Sequence, residues 1–477
     1  MKTNTLDFDA QALREKILDL AMRGKLVPQD PNDEPASVLL EKIKAEKEQL
    51  IKDKKIKKSK PLAPITDDER PFDIPDSWEW VRLGDVNTYN SESVHPDRTP
   101  DKTFELYSVP IFPTRKPEII KGEEIRSNKQ AVETGDVLLC KINPRINRVW
   151  KVSNFTDNEN IASTEWIVVR QREITTEYLR YSLMAPYFRN LLQSNVSGVG
   201  GSLTRAKPRE VRNYVLPIPP LSEQSRIAAK IAQLFALLRK VESSTQQYAQ
   251  LQTLLKSKVL DLAMRGKLVE QDPHDEPASV LLEKIKAEKE LLVKEGKIKK
   301  SKPLPPIADD EKPFDIPDSW EWVRLGDIIE LVSGRDIAKK YHLSHKIHNA
   351  TPYITGASNI DDKGNITINE WIDNPSVVVT KGTLLLSVKG TIGKIAILQL
   401  PKAHIARQIM GIENIYNFNQ DFQKYFLESY IGELKKKAKS MIPGISRNDI
   451  ILAPFPLPSL REQSIIAKKI HKIMSLI

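Results

Sequence analysis

One cysteine, Cys140, stands in 477 residues. A lone thiol excludes a disulfide framework and any thiolate-built zinc or iron–sulfur site. Aromatic residues make up only 6% of the chain, and no apolar run approaches the roughly 20 residues that cross a bilayer. The opening stretch, MKTNTLDFDAQALREK, puts acids where a secretory leader needs an apolar core. A cytoplasmic protein with no membrane partner is expected.

The signatures of common chemistries are also missing. No GxxxxGK[ST] phosphate loop occurs, and KGTIGK at 389–394 has neither the spacing nor the hydroxyl residue. No GxGxxG opens a dinucleotide site. The Asn/Asp-Pro-Pro-aromatic motif of amino-group methyltransferases is absent, and Ile142-Asn143-Pro144-Arg145 is a poor imitation. His342, His345 and His348 cluster too loosely, with too few acids, to make a metal site. We expect no catalytic residue, no metal and no cofactor bound by this chain.

What is abundant is charge. Lys and Arg number 73 against 63 Asp and Glu, a formal net charge of +10, which favours an anionic partner such as nucleic acid. Much of the surplus is concentrated. Residues 41–60 hold 9 basic against 4 acidic side chains, and residues 283–302 hold 8 against 4.

Those two lysine-rich stretches belong to a repeat. Residues 18–86 return as residues 260–328 at a constant offset of 242 without a gap, identical at 59 of 69 positions. A shorter echo links PIPPLSEQS at 217–225 to PLPSLREQS at 456–464. Between the echoes lie two segments that do not match each other. Similar frames hold dissimilar fillings.

Pro220 ends a proline-rich stretch, Ser222 is placed to cap, and apolar residues then alternate at four-three spacing: Ile227, Ile231, Leu234, Leu238, Val241, Tyr248, Leu255, Val259 and Leu262. This predicts one helix of about 44 residues, on the order of 65 Å long, with a coiled-coil seam and Gly266 at its C-cap. Shifting by 242 places Leu6, Leu13, Ile17 and Leu20 on its last part. Shifting by 239 places Ile466, Ile470, Ile473 and Ile477 on its first part. The chain ends thus supply a second helix, split in two and antiparallel to the first. A pseudo-two-fold molecule is expected, with its termini close together.

Within the frame, DEPASVLLEKIKAEKE (33–48 and 275–290) is helix-like, and the aromatic entries Trp78–Val81 and Trp320–Val323 predict strands that pack against the frame. The two fillings read as mixed domains of the same element order. Gly135–Cys140 and Gly382–Val388 predict a turn into a buried strand. Residues 177–193 and 422–439 read as helices. Each filling carries a basic Gly/Ser loop, at 198–209 and 443–447. The fold class is α+β, two mixed domains joined by long antiparallel helices. Domain bounds are placed at 1–77, 78–220, 221–319, 320–459 and 460–477.

The arrangement resembles a type I restriction–modification specificity subunit. The resemblance rests on three paired motifs: LDLAMRGKLV at 18–27 and 260–269, SWEWVRLGD at 77–85 and 319–327, and the P-x-P-P/S-L-x-E-Q-S pair. It covers essentially the whole chain. It implies that 78–220 and 320–459 are target recognition domains, each reading half of a split DNA sequence, and that the repeats form the spacer and dock two methyltransferase subunits. Those partners and the motor-nuclease subunits would hold S-adenosylmethionine, ATP and Mg2+. The C-terminal stretch stops at Ile477, leaving less helix than a full repeat.

Base reading needs Arg, Lys, Asn or Gln at a groove edge. The candidates are Lys141, Arg145, Arg148, Arg205, Lys207 and Arg209 in the first filling, and Arg335, Lys389, Lys394, Arg407 and Arg447 in the second. The competing reading is a coiled-coil assembly scaffold that binds only proteins. It accounts for the helices and the duplicated frame, but not for two divergent domains of parallel element order.

Overall fold

In the computed structural model, residues 8–197, 204–437 and 444–477 are described. The chain divides into two compact units, Met1–Thr245 and Gln246–Ile477. Each is α+β, and each is built on the same frame.

The first unit opens with α1 (Ala10–Met22) and α2 (Ala36–Lys52). Asp9 caps α1, its carboxylate accepting from the Ala12 amide. The helix ends where Gly24, at φ +67°, lets the Gly24 and Lys25 amides fold back onto Ala21 and Leu20. A Cβ on Gly24 would lie 2.4 Å from Cγ of Pro75. Gly266 repeats this in the second unit, at φ +65° against Pro317. Gly24→Ala meets both a disfavoured backbone region and a clash, so a loss of about 1–3 kcal/mol is expected in chemical unfolding. A loss under about 0.3 kcal/mol would refute the lock.

Strand Glu79–Arg82 pairs antiparallel with Val215–Ile218, closing the first filling at its root. Between these strands lie two larger sheets and a two-stranded pair, Val196–Ser197 with Arg205–Ala206. A three-stranded sheet has Val137–Cys140 at its centre, flanked by Val149–Lys151 and Trp166–Val169. A five-stranded sheet contains one parallel pair, Thr103–Tyr107 with Glu159–Ser163. Helices α3 (Thr176–Met184) and α4 (Pro186–Ser194) follow. The sequence pattern predicted a single helix here. Pro186 breaks it, because a proline offers no amide and holds the preceding Ala185 extended, at φ −64° and ψ 147°.

The long helix α5 runs from Leu221 to Met264. Its start differs from expectation. The helix begins at Leu221, so Ser222 lies within it, and the Ser222 hydroxyl donates to Asp33 instead of capping. In the first unit α1 and α5 are antiparallel: Arg14 meets Glu242 (2.9 Å), whereas Asp33, further along the chain, meets Arg226 (3.2 Å). Leu18, Ala21 and Met22 share a core with Ile227, Ile231, Phe235 and Leu238.

The second unit uses the last part of α5, then α6 (Ala278–Lys294), α7 (Gln420–Lys437) and α8 (Leu460–Met474). Its root pair is Glu321–Arg324 with Pro454–Leu457. Its filling has two four-stranded sheets, one centred on Leu384–Ser387 and Ile409–Asn414, the other holding the parallel pair of Thr351–Ile354 and Lys402–Ile405. Ser459 does cap α8, accepting from the Glu462 amide. Val259, Leu260, Ala263 and Met264 pack with Ile466, Ala467 and Ile470.

The seam residues divide by position. Ile227, Ile231, Leu238, Val259, Ile466 and Ile470 are buried, and Leu234, Leu262, Ile17, Leu20 and Ile473 are half-buried. Val241 (44% exposed), Leu255 (48%) and Leu13 (43%) lie at the surface, as does Tyr248. The tightly packed parts of α5 are therefore its two ends, within the separate units. Leu6 lies outside the described residues.

Two buried nodes fix the frame, each present twice. Trp78 Nε1 donates to Glu223 Oε2 (2.9 Å), and Trp320 Nε1 to Glu462 Oε2 (2.8 Å). Burial pushes both carboxyls above the usual range. Both tryptophans pack into the core with the frame, in line with the expectation that they are structural. The second node is Arg82, whose guanidinium joins Ala63 O, the Glu69 carboxylate and Asn213 O, and it is repeated as Arg324 with Pro305 O, Glu311 and Leu452 O.

Candidate nucleic-acid interface

In the first filling the chain leaves the buried strand Val137–Cys140 at Lys141 and turns through Asn143 (φ 51°) and Asn147 (φ 48°) into Val149–Lys151. Asparagine tolerates the left-handed region that most side chains avoid. A later segment docks on the same turn. The Ala206 amide donates to Lys141 O (2.9 Å), the Asn143 amide to Thr204 O (2.8 Å), and Ile142 bridges to Arg205.

That docking brings four candidates to one end of the domain. Lys141 follows the strand, and Arg145 sits exposed on the turn, its Nε donating to Asn143 Oδ1 (3.1 Å). Arg148 is half-buried and reaches Ile142 O (3.3 Å). Arg205 is exposed and held only loosely by Glu165 (3.4 Å). Lys207 and Arg209 are exposed but lie beside or within the short helix Pro208–Val211, which leads to the root strand. Of the basic loop at 198–209, residues 198–203 lie outside the described residues.

The second filling repeats this plan with other residues. After Leu384–Ser387 the chain turns through Gly390 (φ +71°) and Gly393 (φ +92°). Lys389 bridges to Gly444, and the Ile445 amide donates to Val388 O (2.8 Å). The Val388 amide in turn donates to Gln408 O, so Arg407 lies close in the chain to the same end. Arg407 pairs with Asp336 (2.7 Å), next to the exposed Arg335. Lys394 is tied to Asp362, and Arg447 donates to Leu331 O near Glu330. Pro443 lies outside the described residues. The structure thus groups Lys389, Arg407 and Arg335, and commits Lys394 and Arg447 to internal partners.

Chemically, both ends present donors. Guanidinium and ammonium groups stand on backbone turns whose own polar atoms are used internally, the combination that reads base edges or holds phosphates. Cys140 offers nothing reactive here: it is buried, and burial pushes its thiol up. Among the described residues no group of three His, Cys, Asp or Glu is placed to hold a metal ion, and no helix is long and apolar enough to cross a membrane.

Comparison with known proteins places this geometry in context. The family model described as the type I restriction modification DNA specificity domain matches residues 75–252 and again 317–477. The specificity subunit of the type I restriction enzyme EcoAI from Escherichia coli is 34% identical, over 98% of this chain and 89% of that one. That of EcoEI, also from Escherichia coli, is 38% identical over 68% of this chain and 62% of that one. Two solved chains share the fold at 23% identity. One, from a study of assembly and conformational transition in a type I R-M system, has a TM-score of 0.62 over 85% of this chain and 92% of its own. The HsdS subunit from Thermoanaerobacter tengcongensis has a TM-score of 0.52, over 85% and 91%.

Proposed function

Because the chain belongs to the type I restriction–modification specificity subunits, we propose that it reads a bipartite, asymmetric sequence in double-stranded DNA, one half with each filling. The observation that carries this reading is the pair of basic ends. Two domains of common topology present different side chains from the same turn, after Val137–Cys140 and after Leu384–Ser387. Equivalent position with unlike chemistry is what two unrelated half-sites demand.

The recognition domains are residues 78–220 and 320–459, and 1–77, 221–319 and 460–477 form the shared frame. The frame docks two methyltransferase subunits that methylate adenine, and motor-nuclease subunits join the full complex in the cytoplasm. S-adenosylmethionine, ATP and Mg2+ are held by those partners; this chain contributes recognition.

The test is a map of methylated adenines in the source genome, with and without this gene. Loss of one split motif, both halves together, is the expected result. A map that does not change removes the proposal and leaves the protein-only scaffold. A finer test inserts two heptads between Val241 and Leu255, within the exposed stretch of α5. The half-sites should then be read at an altered spacing, and unchanged spacing would show that α5 does not set it.

A further inference from the structure

Within the first unit, a cleft of about 730 Å3 separates the first filling from α1 and the early part of α5. Six cations line it: Arg14, Arg115, Lys151, Arg180, Arg189 and Arg239. Only two carboxylates do so, Glu15 and Glu177.

Those carboxylates are already engaged. Glu15 pairs with Arg189 (2.8 Å), and Glu177 accepts from Lys151 (2.6 Å) and Arg180 (2.8 Å). Arg14 goes to Glu242. Arg115 and Arg239 make no ion pair among the described residues. The Arg115 guanidinium lies over the Phe112 ring (4.0 Å) and only grazes Val149 O (3.4 Å), while Arg180 lies over Tyr181 (4.2 Å). Burial and the neighbouring Arg180 charge lower the proton affinity of Arg115.

The second unit supplies a control. A cleft of about 460 Å3, between its filling and its helices, is lined by Lys256, Lys363, Lys394 and Lys424 against Asp361, Asp362 and Glu428. There Lys394 pairs with Asp362, and Lys424 lies 3.7 Å from Glu428. The architecture therefore does not require a surplus of the size seen in the first cleft. The first cleft has it nonetheless, in arginines, whose planar forks match phosphate oxygens. The turn that presents Arg145 also lines this cleft, through Ile146 and Asn147.

We propose that the first cleft is a phosphate-binding site that holds a backbone phosphate of the DNA beside the first half-site. This rests on the DNA-reading proposal above. A free nucleotide carries the same chemistry, and the test separates the two sources.

The experiment uses the full chain assembled with its methyltransferase subunits, comparing wild type with Arg115→Gln/Arg239→Gln and Arg115→Lys/Arg239→Lys. Affinity is measured across a salt series for a duplex bearing the mapped target and for a scrambled duplex. The Gln variant should lower the slope of log K against log salt by about 1, since each phosphate contact contributes about 0.9. Its Kd should rise about tenfold on both duplexes at low salt, leaving their ratio unchanged, and the Lys variant should keep the wild-type slope. An unaltered slope in the Gln variant, with wild type still preferring the target, overturns the cleft alone. No target preference in wild type overturns the DNA reading and the cleft with it. ATP titrated without DNA, followed by intrinsic tryptophan fluorescence, to which Trp150 in the cleft contributes, is the other arm. Quenching that the Gln variant abolishes, with its DNA slope intact, overturns the DNA assignment in favour of a free nucleotide.

Discussion

Replacing Arg82 by methionine is expected to destabilise the first unit by about 2–4 kcal/mol. Arg82 is 4% exposed, and its guanidinium donates to Ala63 O (2.6 Å), Pro64 O (2.9 Å) and Asn213 O (2.7 Å). It also grips both oxygens of Glu69, at 3.0 and 2.7 Å. Methionine fills similar space but strands three carbonyls and one carboxylate, and stranded polar groups cost more than the bonds themselves contribute. Glu69 is partly exposed, which keeps the figure below that of a fully buried pair.

The same bonds set a pH dependence. Arg82, aided by Thr66, holds the Glu69 carboxyl at about 2, below its ordinary 4.5. A depressed carboxyl favours the folded state above pH 4.5, and that contribution fades as pH falls towards 2. Arg82→Met should remove this acid-dependent component along with the neutral-pH loss. Urea unfolding at pH 7 and pH 3 measures both. A change under about 0.5 kcal/mol at pH 7 would mean that the clamp is not structural. Arg324 makes the same set of contacts, with Pro305, Pro306, Leu452 and Glu311, so Arg324→Met should act equally on the second unit.

The second large effect concerns recognition. Arg145→Gln with Arg205→Gln should weaken binding to the target by about 2–6 kcal/mol, from about 1–3 per lost base contact. The loss should fall on the first half-site alone. Both side chains are exposed, and their internal contacts are few: Asn143 for Arg145 and a 3.4 Å approach to Glu165 for Arg205. Little folding energy is therefore at stake. Competition with duplexes altered in one half at a time gives the answer. A drop that is the same for scrambled DNA would reassign these arginines to phosphate contacts.

How much of this was legible in the sequence differs by element. The repeat and the shorter echo place α2, α5 and α6 to within a few residues and mark where α1 and α8 fall, because the same motifs and two glycine stops occur twice. The start of α5 was misread by its serine. In the echo Ser459 aligns with Pro220 and Ser222 with Arg461, so Ser459 stands just before its helix and caps it, while Ser222 stands inside α5 and turns to Asp33.

The candidate sites were legible in part. Turn residues after each buried strand marked where Lys141, Arg145 and Lys389 stand. That Arg205 joins them depends on a main-chain bridge to Ile142 across more than sixty residues. The arginine cleft had no signal at all. Arg14, Arg115, Arg180 and Arg239 come from four distant segments, and only packing of the filling against the helices gathers them. Parallel pairing in each filling was equally hidden, because its strands are distant in sequence and short.

The manner in which the frame holds each filling has a consequence for inheritance. At the root, Arg82 and Leu83 bind the first filling through Asn213 O and Tyr214 O, and Arg324 and Leu325 bind the second through Leu452 O and Ala453 O. These are carbonyls, which every residue possesses. At the root, a graft that delivers a chain to those two carbonyls meets the same main-chain grip whatever its sequence there. Exchange of genetic segments between the near-identical flanks can therefore carry in a new filling whose root already matches the frame.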